Sequence, residues 1–338
     1  MRILLHTNAL NERGTTTAIR DYAQGLSKFG HEVSIAFSSN DKSNVTTIFK
    51  QVQNEYQTFG YLDFNKFALQ NSRKWDLAYF IKYGYNDGKL IPKIPNIVHA
   101  VFQSYDPHGE KYIYISEWLA KKMRTRNLKN MMKLSSKGLD SLKFGSFQYL
   151  PHIVSLPGAQ RNLRSEWGFP EDAIIGGRHG AKDTFDVPMV QNLIKILLCE
   201  NKKLCFVFAN TNQFIEHPRV KFLPSLLSRI ETSEYLSSLD FFVHARHRGE
   251  TFGLSLLEAM LSKVPVFSYS KGIDGNHRFL LRRSPQSQFQ TSEQLRVLIN
   301  QLPSYQDVQL NFEIAKRYSP SIVMQRWQLL LLEIMEKA

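Results

Sequence analysis

Cysteine is nearly missing: Cys199 and Cys205 are the only two in 338 residues. Neither sits in a Cys-x-x-Cys pair or at a metal-ligand spacing, which argues against a disulfide-stapled or zinc-built domain and matches a reducing cytosol. Both lie in apolar stretches and read as core residues. No apolar run approaches the ~20 residues of a membrane span. The opening Met1-Arg2-Ile3-Leu4-Leu5-His6 is too short an apolar segment for a secretion signal, so the chain is expected to start inside the fold and to be cytoplasmic. There is no Gly-x-x-x-x-Gly-Lys-Ser/Thr loop, no Gly-x-Ser-x-Gly elbow and no Gly-x-Gly-x-x-Gly fingerprint, which argues against a P-loop NTPase, an α/β-hydrolase and a dinucleotide site of the usual kind. An Asp-x-Asp pair that could hold a metal-bound diphosphate is also missing, and no metal site is expected.

Acid is scarce relative to base. Against 30 Asp and Glu stand 43 Lys and Arg, a formal charge of +13, which favours anionic partners: nucleotide phosphates, anionic lipid, acidic glycan or nucleic acid. The basic stretch 121–143 carries eight cations interleaved with Met and Leu, and could lie on an anionic membrane surface or hold an acidic acceptor, although a solvated helix face is the plainer reading.

Length suits two domains, and the pattern supports them. Buried-strand candidates at Arg2 to Thr7, Glu32 to Phe37, Asp76 to Ile81 and Ile97 to Phe102 fill the first half. A polar loop from Asn8 to Thr17 carries Gly14 and Thr15, and the helix after it is expected to end at Gly30. Asp41 to Gly60 is ambiguous. In the second half, Arg161 to Asp172 reads as a short helix; strands are expected at Ile174 to Arg178, Leu204 to Ala209, Val220 to Leu223, Leu239 to Ala245 and Val264 to Tyr269. The tail from Ser321 to Lys337 is a helix with Val323, Trp327, Leu330, Leu331 and Ile334 on its apolar face. Alternating strands and helices predict an α/β protein with two doubly wound parallel sheets.

The stretch of most chemical interest is Arg248-Gly249-Glu250-Thr251-Phe252-Gly253-Leu254-Ser255-Leu256-Leu257-Glu258-Ala259-Met260. A helix starting at Leu254 places Leu254, Leu257, Glu258 and Leu261 on one face. A carboxylate there must be hydrogen-bonded, either by a basic side chain of the fold or by ligand hydroxyls, since an unpaired one costs several kcal/mol. Glu250 precedes it by eight residues. Gly253 lets the backbone turn, and the free N–H groups of the first helical turn suit a phosphate.

Glu-Thr-Phe-Gly-Leu, three residues, then Leu-Glu-Ala-Met and Val-Pro-Val resembles the Glu-x7-Glu signature of retaining glycosyltransferases of the GT-B fold, with Lys263 where those enzymes usually have Gly. The resemblance implies two Rossmann-like domains facing a cleft: 1–152 for the acceptor, 153–320 for a nucleotide-sugar donor, and a C-terminal helix, about 321–338, crossing back to the first domain. It implies that Glu258 binds ribose hydroxyls and Glu250 binds donor-sugar hydroxyls, with Thr251, Phe252, Gly253 and Leu254 lining the donor. The Gly177-Arg178 step and Lys182 would hold the diphosphate, Arg178 being the firmer match. Either His99 or His108 would lie near the reacting sugar, and Gly14 and Thr15 would form an acceptor-side loop. No cofactor is implied beyond the donor substrate, UDP- or GDP-linked. The acceptor would be a glycan, lipid-linked or other hydroxyl compound. Competing readings are a nucleotide-sugar epimerase, a DNA-modifying glycosyltransferase, and a nucleic-acid or acidic-glycan binding module without turnover, with nucleic acid the less favoured partner.

Overall fold

The computed structural model describes residues 1–134, 148–302 and 305–336. The chain divides into two compact units, Met1–Ile153 with Pro320–Ala338, and Val154–Ser319. Each is built on a six-stranded parallel sheet. This is the α/β architecture that the strand and helix alternation predicts.

In the first unit, strands β1 (Arg2–His6), β2 (Glu32–Ser38), β3 (Gln57–Tyr61), β4 (Leu77–Lys82), β5 (Asn96–Ala100) and β6 (Lys111–Tyr114) form a sheet of order β3-β2-β1-β4-β5-β6. β1, β4 and β5 are buried along almost their whole length, which is why they read as continuous apolar runs rather than alternating ones. Helix α1 (Gly14–Lys28) joins β1 to β2. It ends as its sequence predicts: the His31 N–H donates to the Leu26 carbonyl at 3.1 Å and the Gly30 N–H to that of Ser27 at 3.0 Å, a Schellman closure. Its start differs from expectation, because Gly14 and Thr15 occupy the first helical turn and not a loop. Thr16 is the reason: its hydroxyl accepts the Asn11 N–H at 3.1 Å and bonds the Ala9 carbonyl at 3.4 Å, so the loop closes four residues early. The ambiguous stretch 41–60 resolves into α2 (Thr46–Glu55) and strand β3, followed by α3 (Phe64–Gln70). Ser116 then caps α4 (Glu117–Leu134), accepting the Leu119 N–H at 3.2 Å.

The C-terminal helix, Pro320–Met335, belongs to this first unit. Its apolar face is the one expected, with Met324 added. Trp327 is fully buried, 5.5 Å from the ring of Tyr22 and 5.0 Å from that of Tyr79. Of the basic stretch 121–143, the described part shows Lys121 paired with Glu117 one turn away and Lys122 over the Trp118 ring at 4.9 Å. Lys129, Lys133, Lys137 and Lys143 lie outside the residues whose side chains are described.

The second unit contains β7 (Ile174–Arg178), α5 (Pro188–Glu200), β8 (Leu204–Ala209), β9 (Val220–Leu223), α6 (Arg229–Ser237), β10 (Phe241–His244), β11 (Gly249–Glu250), α7 (Leu254–Leu261), β12 (Val266–Tyr269), β13 (Asp274–Gly275), α8 (Asn276–Leu280) and β14 (Gln288–Phe289), then α9 (Ser292–Asn300) and α10 (Tyr305–Lys316). The main sheet runs β14-β12-β10-β7-β8-β9, and β11 pairs with β13 in a small parallel ribbon. Phe206, Phe208, Phe241 and Phe267 fill its core with Leu193 and Leu197 of α5.

Two expectations fail in this unit. Arg161 to Asp172 is an irregular turn, not a helix. Tertiary contacts win over local periodicity there: the Leu163 N–H is taken by Ser238 Oγ at 2.8 Å, and the Arg161 and Arg164 side chains reach Glu234 and Asp240. Cys205 is buried but Cys199 is exposed, since α5 turns Val190, Leu193, Ile194, Leu197 and Leu198 inward and leaves position 199 on the outer face.

Lys263 takes a left-handed φ of +58° at the Schellman position ending α7, where the Val264 N–H bonds the Ala259 carbonyl at 3.1 Å. Its ammonium lies 4.6 Å from the Phe312 ring centroid. Replacing it by glycine relieves about 1 kcal/mol of backbone strain and loses a cation–π contact of about 0.5–1 kcal/mol. Lys263→Gly should therefore shift the urea midpoint very little, whereas Lys263→Val, with a branched Cβ, should lower it clearly.

Candidate active site

The order of the second sheet reverses between β7 and β10, and ligands of open α/β sheets bind outside the carboxyl ends of strands at such a point. Both strands deliver their last residues there. β7 ends in Gly177 and Arg178, followed by His179. β10 ends in His244, followed by the loop to Glu250.

Gly177 lies where a Cβ would come within 2.6 Å of the Leu239 side chain and 2.7 Å of the Tyr235 hydroxyl. That hydroxyl accepts the Arg178 N–H at 2.8 Å and donates to the Val207 carbonyl at 2.6 Å, tying β7 to β8 at the site. Arg178 is 4% exposed. Nη1 donates to the Asn210 carbonyl at 3.1 Å and the Thr211 hydroxyl at 2.7 Å; Nη2 donates to the Ala181 carbonyl at 2.8 Å and to Thr184. Both terminal nitrogens are thus committed to two loops of the protein. Burial lowers its pKa to about 10, offset in part by Tyr235 and by the carboxylate of Glu250, so the guanidinium stays charged at neutral pH. Lys182 is exposed, and its ammonium makes no ion pair among the described residues.

Glu250 is held on both oxygens. Arg246 Nη1 donates to Oε2 at 2.8 Å, and His244 Nε2 lies 3.3 Å from Oε1. Burial raises its pKa, but the His244 hydrogen bond and the Arg246 charge outweigh that, and the carboxyl titrates below the ordinary glutamate range. His244 is oriented in turn by Ser268 Oγ, 2.9 Å from Nδ1. His277 Nδ1 accepts the Glu250 N–H at 3.2 Å, which fixes the proton on Nε2. The ribbon of β11 and β13 pairs Glu250 with Gly275, and Asp274 is anchored by Arg248 Nε at 2.6 Å.

Gly253 caps α7 at φ +89°, ψ 55°, a left-handed conformation. It is followed by Leu254, Ser255 and Leu256, whose N–H groups start the helix with no capping side chain. Thr251 and Phe252 are buried beneath the turn, and Asn276 Nδ2 donates to the Phe252 carbonyl at 2.6 Å. The buried face of α7 is Leu256, Leu257, Ala259 and Met260. Leu254, Glu258 and Leu261 are only half-buried, so the expected grouping of Glu258 with Leu257 on a core face is corrected: the acid sits at the edge of that face. Its Oε2 lies 3.3 Å from His179 Nε2. The two atoms are not hydrogen-bonded, and His179 Nε2 has no partner in the described structure. Burial, then the neighbouring Arg178 charge, lowers the His179 pKa to about 3, so at neutral pH the ring is uncharged and the contact is not an ion pair.

The structure therefore groups Arg178, His179, Glu250 and Glu258 at one place in the second unit. His179, His244, Arg246, Asp274 and His277 were not singled out from sequence. The only signal for Arg246 is its position four residues before Glu250, and for His244 its place at a strand's carboxyl end. In the first unit, His99 is completely buried, hydrogen-bonded to Tyr79 and 6.1 Å from the His152 ring. His108 is half-buried, with Nδ1 2.6 Å from the Asp106 carbonyl.

Two six-stranded parallel α/β units are the fold of GT-B glycosyltransferases. Solved structures with this fold align over essentially the whole chain. HepE of Anabaena, in complex with UDP-glucose, is 14% identical, covering 98% of this chain and 100% of its own, with a TM-score of 0.71. A sucrose-phosphate synthase from Thermosynechococcus elongatus is 13% identical over 100% of both chains at 0.66. A variant of TarM from S. aureus, in complex with Fondaparinux, α-GlcNAc-glycerol and UDP, is 10% identical over 98% of this chain and 99% of its own at 0.67. No family model and no curated protein sequence matches the chain. Among the described residues, no helix is long and apolar enough to cross a membrane.

Proposed function

We propose that the chain is a glycosyltransferase that moves a sugar from a nucleoside-diphosphate sugar, UDP-linked in the first instance, to an acceptor hydroxyl with retention of anomeric configuration. The observation that carries this reading is the uncapped amino end of α7 behind left-handed Gly253, with Glu250 on one side and Glu258 on the other. Amide N–H groups suit a diphosphate, and partly buried carboxylates suit sugar hydroxyls. The neighbours solved with UDP or UDP-glucose support the donor class.

In this reading Glu258 accepts hydrogen bonds from the ribose hydroxyls and Glu250 from the donor sugar, using lone pairs that Arg246 and His244 leave open. The bond from the anomeric carbon to the diphosphate oxygen breaks, and the acceptor oxygen bonds to that carbon on the same face. The acceptor proton passes to the departing phosphate. Lys182 and the amides of α7 hold the growing diphosphate charge without a metal ion. Arg178, with both terminal nitrogens bound to protein, positions residues 181–184 and 210–211 and adds its field.

Incubation with UDP-glucose, UDP-N-acetylglucosamine and GDP-mannose, with and without EDTA, tests the reading. One donor should be hydrolysed slowly without acceptor, and EDTA should not stop it. Glu258→Ala should weaken UDP binding about tenfold or more, because two ribose hydrogen bonds to a charged acceptor are lost. Full UDP affinity and full turnover in that variant would remove the assignment of the site.

A further inference from the structure

A second constellation lies in the first unit, at the carboxyl ends of β4 and β5. Tyr83 follows β4 directly and Phe102 lies just beyond β5, with ring centroids 4.7 Å apart; Tyr85 lies 5.4 Å from Tyr83. Tyr83 and Tyr85 are 45% and 54% exposed. Surface tyrosines on a loose loop would mean little, but this loop is built to hold them. Lys82, a buried lysine, donates to Asp87 Oδ1 at 2.7 Å and to the Lys89 carbonyl at 3.2 Å. The Asn86 N–H donates to Asp106 Oδ2 at 2.7 Å, bridging the β4–β5 and β5–β6 connections. Between the two tyrosines, Gly84 at φ +123° accepts the Tyr112 hydroxyl on its carbonyl at 2.5 Å, and a Cβ there would meet Ala100 and Tyr112 at 2.9 Å.

We propose that Tyr83 and Tyr85, backed by Phe102, form a stacking platform for the pyranose rings of a glycan, the acceptor of the transfer proposed above, on which that role rests. A sugar ring presents an apolar C–H face to an aromatic ring and its hydroxyls to the surrounding polar groups. Here the rings stand among exposed Asn86 and Asp106 and the half-exposed Asp87, acceptors and donors of the right kind. A lipid would call for a continuous apolar surface, which this polar rim interrupts. Nucleic-acid bases also stack on aromatic rings, but the exposed carboxylate of Asp106 would repel their phosphates.

The test uses the full chain on an array of neutral and acidic oligosaccharides, with a dT20 oligonucleotide as the competing probe. The wild type should bind at least one oligosaccharide. Tyr83→Ala/Tyr85→Ala should weaken that binding roughly tenfold or more, with UDP affinity and thermal midpoint unchanged. Tyr83→Phe/Tyr85→Phe, which keeps the rings, should stay within about threefold of wild type. Equal oligosaccharide binding by the double alanine variant, failure of the wild type to bind any oligosaccharide, or a ring-dependent affinity for dT20 alone would each overturn the platform. The two proposals separate cleanly: ring-dependent glycan binding with no turnover of any donor keeps the platform and removes the transferase.

Discussion

Acidification from pH 7.5 to 5.5 should cost this protein several kcal/mol of stability, and the first unit should unfold before the second. Five histidines are buried in a form that resists protonation. In the first unit, burial lowers His6 and His152 to about 3 and His99 well below its ordinary value. In the second, burial lowers His179 and His277 to about 3, with Arg178 acting on the former, and His244 and then Arg278 on the latter. Their native partners suit the neutral ring: His6 Nε2 is 2.7 Å from the Tyr61 hydroxyl, and His152 Nδ1 is 3.4 Å from that of Tyr22.

A group whose folded pKa lies below its unfolded value of about 6.5 binds its proton first in the unfolded state, so acid favours unfolding from pH 6.5 downward. At pH 5.5 the unfolded ring is protonated about tenfold over, and each ring kept neutral costs about 1.4 kcal/mol. Three such residues come to about 4 kcal/mol in the first unit and two to about 3 kcal/mol in the second, against a usual total of about 5–15 kcal/mol per domain. Glu250 acts in a lower window: its depressed carboxyl contributes above about pH 4.5 and is lost only as pH falls through its folded value. Urea unfolding at pH 7.5, 6.5 and 5.5 should show two transitions, the larger loss belonging to the first unit. His152→Asn, which removes one titrating group of three, should shrink that unit's pH slope by about one third. A midpoint unchanged between pH 7.5 and 5.5 would mean that these rings are not held neutral.

The same histidines show where sequence reading stops. Most strands of both sheets were legible because a two-sided parallel sheet leaves an unbroken apolar run, as at Leu77–Lys82 and Leu204–Ala209, whereas the edge strands β3 and β14 lack such a run and were not. Gly30 and the apolar stripe of the C-terminal helix were legible because caps and helical periodicity are local. The start of α1 was not, since it depends on one threonine hydroxyl folding back onto Ala9 and Asn11. Nor was the turn at 161–172, whose shape is set by Glu234, Ser238 and Asp240 some seventy residues away. In the site, Glu250 and Glu258 carried a motif, but the ring that backs Glu250 comes from position 277 and the one beside Glu258 from position 179. Neither separation leaves a trace in spacing. The loop 270–277 supplies the short strand that pairs with Glu250.

That pairing makes Gly249 the position with the largest expected effect on the site. Gly249 sits at φ +80° beside Asp274, and a Cβ there would come within 2.0 Å of the Asp274 carbonyl oxygen and 2.7 Å of the His277 ring. Backbone on one side and a buried ring on the other cannot both yield, so Gly249→Ala must break the β11–β13 pairing or tilt His277 away from the Glu250 N–H. The cost combines about 1 kcal/mol for alanine in a left-handed conformation with the overpacking penalty and the lost hydrogen bonds, about 3 kcal/mol or more in total. Gly168→Ala supplies the control, since Gly168 has a similar φ of +65° in the same unit but nothing within 4 Å of its Cβ. It should lose only the conformational part, about 1 kcal/mol. Urea midpoints of the two variants read the difference directly, with no assumption about activity. Donor hydrolysis, if the proposed reaction holds, should fall about a hundredfold in Gly249→Ala, because a displacement of 1 Å at Glu250 is enough for that, and stay near wild type in Gly168→Ala. Equal midpoints for the two alanines would show that the ribbon tolerates the added carbon, and Glu250 would then owe its position to Arg246 and His244 alone.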